Sequence, residues 1–552
     1  MGNDAMRKRR RRFGLALTAL VLLALAIRSF PLHLSPYPST LDGFNYAAMA
    51  RTATETGSVP LTGRADSLLF TSLFAVTGTV FDADPLYVAQ PLATTIGAII
   101  CFVGAVVARR IVRDTPHLSV RPSTVATVTA GLLAVQGLFL RRTAVPDEEI
   151  VAILLSLIVA VSLHYAFRTG QRRWYGIVGL LLGIFPILHT FTSLVVGLIV
   201  TALTALHVSR TLTRRSLLCG VGLAGGFWAY IAVYYRTAAT SLSLTVPYVD
   251  RITAYPGLFV AWGIVLVIGV VWIQHTSLRI RQGTYLAVIG SFFAVVILNA
   301  FTPIFPGTVT TPRTVLGLVS LLVVVALAAV ASLDVLDEYR GAFLLVALFS
   351  APAVIIGFSL TASLTPEYFA TAMRAQTFLH LPILIISAIT VARLLERRGD
   401  SSPRRALRIL LVLLVVATVT ASAPLAFINL DSGSALTTTM PSEYQGIEFV
   451  STQSESDWVS DHPVTRIGVY VFDENATFDP VANWLTGGSS PSCPVLSQRS
   501  WTTTGAHLFP TAPKTVSPEA YDRWLSSRNV VYASNGRDPL VISMPSGQYS
   551  GC

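Results

Sequence analysis

Charge is what this chain has little of. Only 12% of its 552 residues are Asp, Glu, Lys or Arg, against roughly 25% in a soluble globular domain. Lysine is nearly missing: Lys8 and Lys514 are the only two, so arginine carries the basic side. That bias belongs to composition and marks no site. The 4 cysteines make no disulfide framework. Cys101 and Cys219 fall in apolar runs, where they pack; Cys493 and Cys552 lie in a polar tail and would pair if that tail were outside the cell. No internal repeat and no heptad run is visible. These absences exclude an ordinary soluble domain.

What is present is apolar. Hydrophobic residues make up 53% of the chain, and its mean hydropathy is +0.62. The expected fold class is a polytopic α-helical membrane protein. A net charge of +11 would suit a nucleic-acid binder. The arginines, however, cluster in short loops between apolar runs, where they act as topology signals. No nucleic-acid partner is expected.

Runs of about twenty apolar residues mark about thirteen spans. They lie near 13–30, 86–108, 123–140, 150–167, 174–189, 191–207, 217–235, 256–273, 284–300, 314–332, 342–360, 378–394 and 407–424. The first follows a basic stretch and is too long for a signal core, so it reads as a retained helix with a cytoplasmic N-terminus. Alternate loops then become cytoplasmic, and six of those seven segments are Arg-rich, as the positive-inside rule requires. The expected organisation is a transmembrane domain over 1–424, with a first outward loop at 31–85, and a small extracytoplasmic α/β domain over 425–552. In the tail, Arg466–Phe472, Val530–Ala533 and Leu540–Met544 read as strands, and Pro441–Thr452 and Pro518–Arg528 as helices.

With that topology the ionisable residues collect on the outward rim. Asp42, Asp66, Asp82 and Asp84 fall in the first loop, and Arg141, Arg142, Asp147, Glu148 and Glu149 in the second. His189, Asp250, Arg251, Arg313, Glu367 and Arg374 follow. Asp42 sits at the start of an amphipathic helix on a membrane surface, an expensive place for a carboxylate. Facing carboxylates and arginines suit transfer from a sugar-bearing polyprenyl phosphate. Arginines hold the phosphate in bidentate fashion, and a carboxylate accepts the proton of the attacking hydroxyl. Each residue also has a plainer reading: Asp82 and Asp84 as helix caps, Asp147–Glu149 as acids at a helix start, Arg141 and Arg142 as snorkelling side chains, His380 as structural.

The sequences Asp42-Gly-Phe-Asn-Tyr46, Ala50-Arg51, Glu55-Thr-Gly57 and Asp84-Pro-Leu-Tyr87 resemble the opening of the GT-C superfamily of polyprenyl-phosphate-sugar glycosyltransferases. That superfamily includes protein O-mannosyltransferases, lipid A aminoarabinose transferases and, more distantly, oligosaccharyltransferase catalytic subunits. The stretch Ala372–Pro382 is similar to the late outward loop whose arginine meets the lipid phosphate. The resemblance implies a GT-C-like fold with Asp42 as the catalytic carboxylate. Arg374, with Arg313 or Arg142, would bind the donor phosphate. Asp66, Asp84, Glu148, His189 and Glu367 are secondary candidates. Asp147-Glu-Glu149 resembles the acidic motif that holds a divalent metal in oligosaccharyltransferases, so Asp42, Asp147 and Glu149 would hold Mg²⁺ or Mn²⁺.

The expected activity is transfer of one sugar, a hexose such as mannose. The donor would be dolichyl- or polyprenyl-phosphate-linked, and the acceptor a glycan, lipid-linked glycan or protein on the outer face. Surface-glycoprotein N-glycan assembly in an archaeon is the expected setting. The WWDYG signature of oligosaccharyltransferases is absent, and Trp458 and Trp484 stand alone. The alternatives are transfer of a whole lipid-linked glycan, a lipid-glycan flippase and a membrane scaffold. A flippase would carry ionisable groups at mid-membrane, and the span interiors here are nearly free of charge.

Overall fold

In lipid an apolar run can satisfy its backbone only within itself, and so it closes into a helix. The computed structural model describes residues 3–60, 66–115, 118–246, 248–302, 322–337, 340–397, 402–427, 439–453, 457–508, 513–535 and 538–547, with 304, 317 and 552. The helices are α1 (Asn3–Arg28), α2 (Leu41–Thr56), α3 (Leu68–Phe81), α4 (Pro85–Arg113), α5 (Pro122–Val135), α6 (Gly137–Thr143), α7 (Glu148–Thr169), α8 (Arg172–Leu188) and α9 (Thr190–Thr211). Then come α10 (Arg214–Ser241), α11 (Val249–Ala254), α12 (Pro256–His275), α13 (Leu278–Phe301), α14 (Leu322–Val330), α15 (Arg340–Ala362), α16 (Pro366–Glu396) and α17 (Ser402–Ala421).

Among the described residues nine helices are long and apolar enough to cross a membrane, and the bent pair α5–α6 makes a tenth if it counts as one span. The chain is therefore a multi-pass membrane protein. The other three expected spans fall on α1, on the 17-residue α8 and on 314–332. Of that last run the structure describes 317 and 322–332, with α14 inside it. The described residues of the stretch 31–85, expected as the first outward loop, hold the helices α2 and α3. Thr40 caps α2, its Oγ1 accepting the Gly43 N–H at 3.2 Å, and Gly57 ends it at φ +71°.

The run 123–140 is not one straight helix. It bends by 72° at Gln136. Gln136 Oε1 accepts the Phe139 N–H at 2.6 Å and so starts α6. Gly137 packs so tightly on residue 422 that a Cβ would lie 1.7 Å from the Ser422 carbonyl oxygen. A break leaves carbonyls without helical partners. Arg28, fully buried at the end of α1, supplies the donors: its guanidinium reaches the carbonyls of Leu133 at 3.2 Å, Ala134 at 3.3 Å and Thr143 at 3.1 Å, and Thr143 Oγ1 at 2.7 Å. A uniform apolar run hid this break, because Gln136 and Gly137 alone do not interrupt a hydropathy window.

The C-terminal segment adds α18 (Pro441–Gln453), α19 (His462–Phe472), α20 (Asp479–Leu485), β1 (Val495–Gln498), α21 (Pro518–Ser526), β2 (Arg528–Ala533) and β3 (Leu540–Pro545). The strands form an antiparallel sheet in the order β1-β3-β2. Arg466–Phe472, expected as a strand, belongs to helix α19. The alternation in RIGVYVF also fits one helical face: Val464, Ile467 and Gly468 are buried together, and Pro463 sits in the first turn, where a helix tolerates it. Cys493 and Cys552 are joined by a disulfide. The segment rests on the first loop: Tyr444 stacks on Tyr37 with ring centroids 4.1 Å apart, and one hydrophobic core runs from the membrane helices through Tyr444, Ile447 and Ile467.

Candidate functional site

The start of α7 is where the expected residues meet. Asp147 is the N-cap of α7, its Oδ1 accepting the Glu149 N–H at 3.1 Å. The first turn of α2 lies against it. Thr40 Oγ1 donates to the Pro146 carbonyl at 3.3 Å, and a Cβ on Gly43 would lie 2.6 Å from Pro146 Cγ. Asp42, next to that glycine, is thus presented from a turn packed on the residue preceding Asp147. Gln90, fully buried, ties the same parts together: its Oε1 accepts the Ser39 N–H at 3.2 Å and its Nε2 donates to the Ala144 carbonyl at 2.7 Å.

Asp147, Glu148 and Glu149 are 4%, 1% and 0% exposed. Three consecutive buried acids need positive partners. Arg142, in the last turn of α6, brings Nη1 to 4.0 Å from Glu149 Oε2. Arg374, on α16, acts electrostatically on all three acids and lies over the Tyr248 ring at 5.5 Å. Burial pushes the Asp147 carboxyl up, but Arg374, a hydrogen bond with Glu148, and the charges of His189 and Arg142 hold it well below the usual carboxylate range. Neither Glu149 oxygen makes a hydrogen bond among the described residues.

A second group lies beside the first. His189, between α8 and α9, has Nε2 3.6 Å from Glu148 Oε1 and Nδ1 2.7 Å from Thr192 Oγ1. Asp66 Oδ2 accepts the Thr190 N–H at 3.0 Å and its hydroxyl at 2.6 Å. One ligand atom from each of Asp66, Glu148 and His189 lies within 4.8 Å of the others, and all three residues are buried. Among the described residues this is the group of three or more acids and histidines that converges closely enough for a metal ion.

Other candidates stand apart. Asp84 caps α4 through the Leu86 N–H at 2.8 Å and pairs with Arg51 at 2.6 Å, the capping role its position suggests. Glu367 opens α16, its carbonyl held by Arg251 at 2.8 Å. Arg313 lies outside the described residues. Sequence reading did not single out Tyr248, which bridges Arg374 and Arg251. Its φ of +71°, unusual for a bulky side chain, leaves no mark in the sequence.

The C-terminal segment has a polar cavity of about 140 Å³ lined by Glu443, Asp461, Gln498, Ser500, His507 and Asp538 among others. Burial pushes the Asp461 carboxyl up to about 7; the His507 N–H pulls it down and Glu443 pushes it up. A carboxyl raised by folding favours the fold most below its unfolded range, near pH 4, and loses that contribution as pH rises through about 7. Asp461→Asn is therefore expected to raise the unfolding temperature relative to wild type at pH 8 and to make little difference near pH 4, as read by thermal scans in detergent.

The sequence matches no family model and no curated protein. Solved structures do match. The chain is similar in fold to an archaeal oligosaccharyltransferase. Against the apo crystal structure of the Archaeoglobus fulgidus oligosaccharyltransferase the TM-score is 0.55 at 12% identity, covering 89% of this chain and 70% of that one. Against the same enzyme in complex with Zn and sulfate the TM-score is 0.50 at 13% identity, covering 84% of this chain and 62% of the other. At this identity the likeness is one of fold alone.

Proposed function

We propose that the chain is a membrane glycosyltransferase that moves one sugar, a hexose such as mannose, from a dolichyl- or polyprenyl-phosphate donor to a glycan, lipid-linked glycan or protein acceptor on the outer face. One observation carries the reading. Arg142 and Arg374 converge on a buried acidic turn that packs against the turn bearing Asp42. The likeness in fold to the archaeal oligosaccharyltransferase supports it.

In this mechanism Asp42 accepts the proton of the acceptor hydroxyl as the oxygen attacks the anomeric carbon. The bond to the donor phosphate breaks, and Arg374 with Arg142 takes up the negative charge that develops on the leaving phosphate. Direct displacement inverts the anomeric centre. A divalent ion would supply further charge neutralisation. By resemblance Asp42, Asp147 and Glu149 would hold it, and the unbonded, buried Glu149 oxygens suit that part. The N-terminus would be cytoplasmic and the C-terminal segment outside.

The fold likeness also favours a second reading, transfer of a complete lipid-linked glycan to protein. The two tryptophans that stand apart in the C-terminal segment are engaged in packing: Trp458 is fully buried, close to Gly468, and Trp484 packs on Trp524 with ring centroids 4.7 Å apart.

The test is a glycan comparison. A deletion strain should yield surface or lipid-linked glycans short by one sugar in mass spectra, and the wild-type gene should restore them. In membranes Arg374→Ala should lower transfer by about 10²-fold or more, the scale for losing a charge-stabilising donor. Full restoration by Arg374→Ala at normal protein level would remove the phosphate site from the account.

A further inference from the structure

A cavity of about 220 Å³ lies between α4, α7, the start of α8 and the start of α15. Most of its wall is apolar, with Val103, Val107 and Ile111 from α4, Leu157 and Val161 from α7 and Leu344 from α15. Arg110 and Asp114 also line it, beside Tyr165 and Trp174. Arg110 lies over the Tyr165 ring at 4.4 Å, and one turn further on Arg168 donates to Asp114 at 2.6 Å. The two helices therefore run the same way and bring their basic ends to one level. From Val103 to Asp114 a helix rises about 16 Å, half of a hydrocarbon core about 30 Å thick. The lining has the depth of one leaflet, with its charged end at headgroup level.

That end is basic and built. Tyr165 stacks on Trp174 with ring centroids 5.3 Å apart, and Arg173 lies over Trp174 at 5.8 Å. Three arginines thus border the mouth, with Asp114 as the carboxylate among the described residues of the lining. The Tyr165 ring occupies one face of the Arg110 guanidinium, and among the described residues no hydrogen bond engages its N–H groups. The wall from α15 packs directly on α4: a Cβ on Gly341 would lie 2.7 Å from the Ile111 carbonyl oxygen and 2.6 Å from Thr115 Oγ1.

We propose that this cavity holds one hydrocarbon chain of an anionic phospholipid, with the lipid phosphate against Arg110. An apolar slot one leaflet deep suits a chain that enters from the interface and ends at mid-membrane. A guanidinium backed by an aromatic face keeps its N–H edge for a phosphate. A zwitterionic headgroup would bring its own cation to three arginines, so a net negative headgroup is preferred. In the expected topology the mouth opens to the cytoplasmic leaflet, where anionic lipids gather and basic pockets between helices take their headgroups. On α7, Tyr165 stands about 26 Å from Glu148, so this is not the place proposed for the donor phosphate. The site stands whether or not the chain transfers sugar.

The experiment is native mass spectrometry of the delipidated full chain, offered phosphatidylglycerol and phosphatidylcholine with the same chains at equal concentration. Wild type should retain one phosphatidylglycerol, preferred by about fivefold or more, the scale for one arginine at a lipid surface. Arg110→Gln should lose the preference and still bind either lipid. Val161→Trp, which fills the slot, should lower binding of both. Phosphatidylglycerol with a diazirine at its chain end should cross-link within 103–107 and 157–161. Unfolding scans without lipid identify variants that are merely misfolded, and for those the headgroup preference and the cross-links of wild type decide. Equal retention of the two lipids by wild type, an unchanged preference in folded Arg110→Gln, unchanged binding in folded Val161→Trp, cross-links confined to other segments, or displacement of phosphatidylglycerol by a smaller amount of polyprenyl phosphate would each overturn the assignment.

Discussion

Arg28→Met should leave almost no folded protein. Arg28 is fully buried and its guanidinium donates to five acceptors, among them the carbonyls of Leu133, Ala134 and Thr143 around the α5–α6 break. Methionine fills the space and donates nothing. Three buried carbonyls left unsatisfied cost about 1–3 kcal/mol each, a sum comparable with the whole net stability of about 5–15 kcal/mol typical of a folded domain. The neighbourhood offers no replacement: Gly97 is so close that a Cβ there would lie 2.0 Å from the Thr143 carbonyl oxygen and 2.7 Å from Arg28 Cδ. Since α6 carries Arg142, loss of the break also removes the arginine nearest Glu149. Fluorescence-detected size exclusion should show the monodisperse peak lost for Arg28→Met and partly kept for Arg28→Lys, whose ammonium reaches fewer acceptors. A monodisperse Arg28→Met protein with an unchanged unfolding temperature would show that the break is held by something else.

The second large effect is on chemistry. Asp42→Asn should lower transfer by about 10²–10⁴-fold, the range for removing a general base, at normal protein level. Folding should survive, because Thr40 supplies the helix cap through its own hydroxyl and the amide is nearly the size of the carboxylate. Donor binding should also survive, because Arg374 and Arg142, on α16 and α6, carry the phosphate in this account. The expected pattern is a fall in turnover with little change in the apparent affinity for donor. A variant within about threefold of wild type, far inside the span expected of a base, would make Asp42 a helix-start residue and nothing more.

How much of this could be read from the letters follows from distance along the chain. The membrane class is legible because a span needs about twenty apolar residues in a row, and wherever the structure describes one of those runs a helix stands there. Asp84 as a cap is legible for the same local reason. The grouping of Asp66, Glu148 and His189 is not, because it depends on how α7 and α9 pack on the first loop. Arg28 carries a sign that sequence reading passed over: an arginine at the expected outer end of the first span has no use as a topology signal. The strand expected at Arg466–Phe472 shows the limit of short patterns, since seven residues of alternating size suit either period and tertiary packing chose the helix.

The central claim is single-sugar transfer from a lipid phosphate, and one measurement addresses it directly. Purified protein in liposomes is given a polyprenyl-phosphate-linked hexose labelled at the anomeric carbon, together with lipid-linked glycans from the deletion strain. The product is resolved by mass spectrometry and nuclear magnetic resonance. The account predicts acceptors heavier by one hexose, with the anomeric configuration inverted relative to the donor and product from Asp42→Asn lowered by about 10²-fold or more. Product with retained configuration, or transfer only of a complete glycan to asparagine in a peptide, would contradict it.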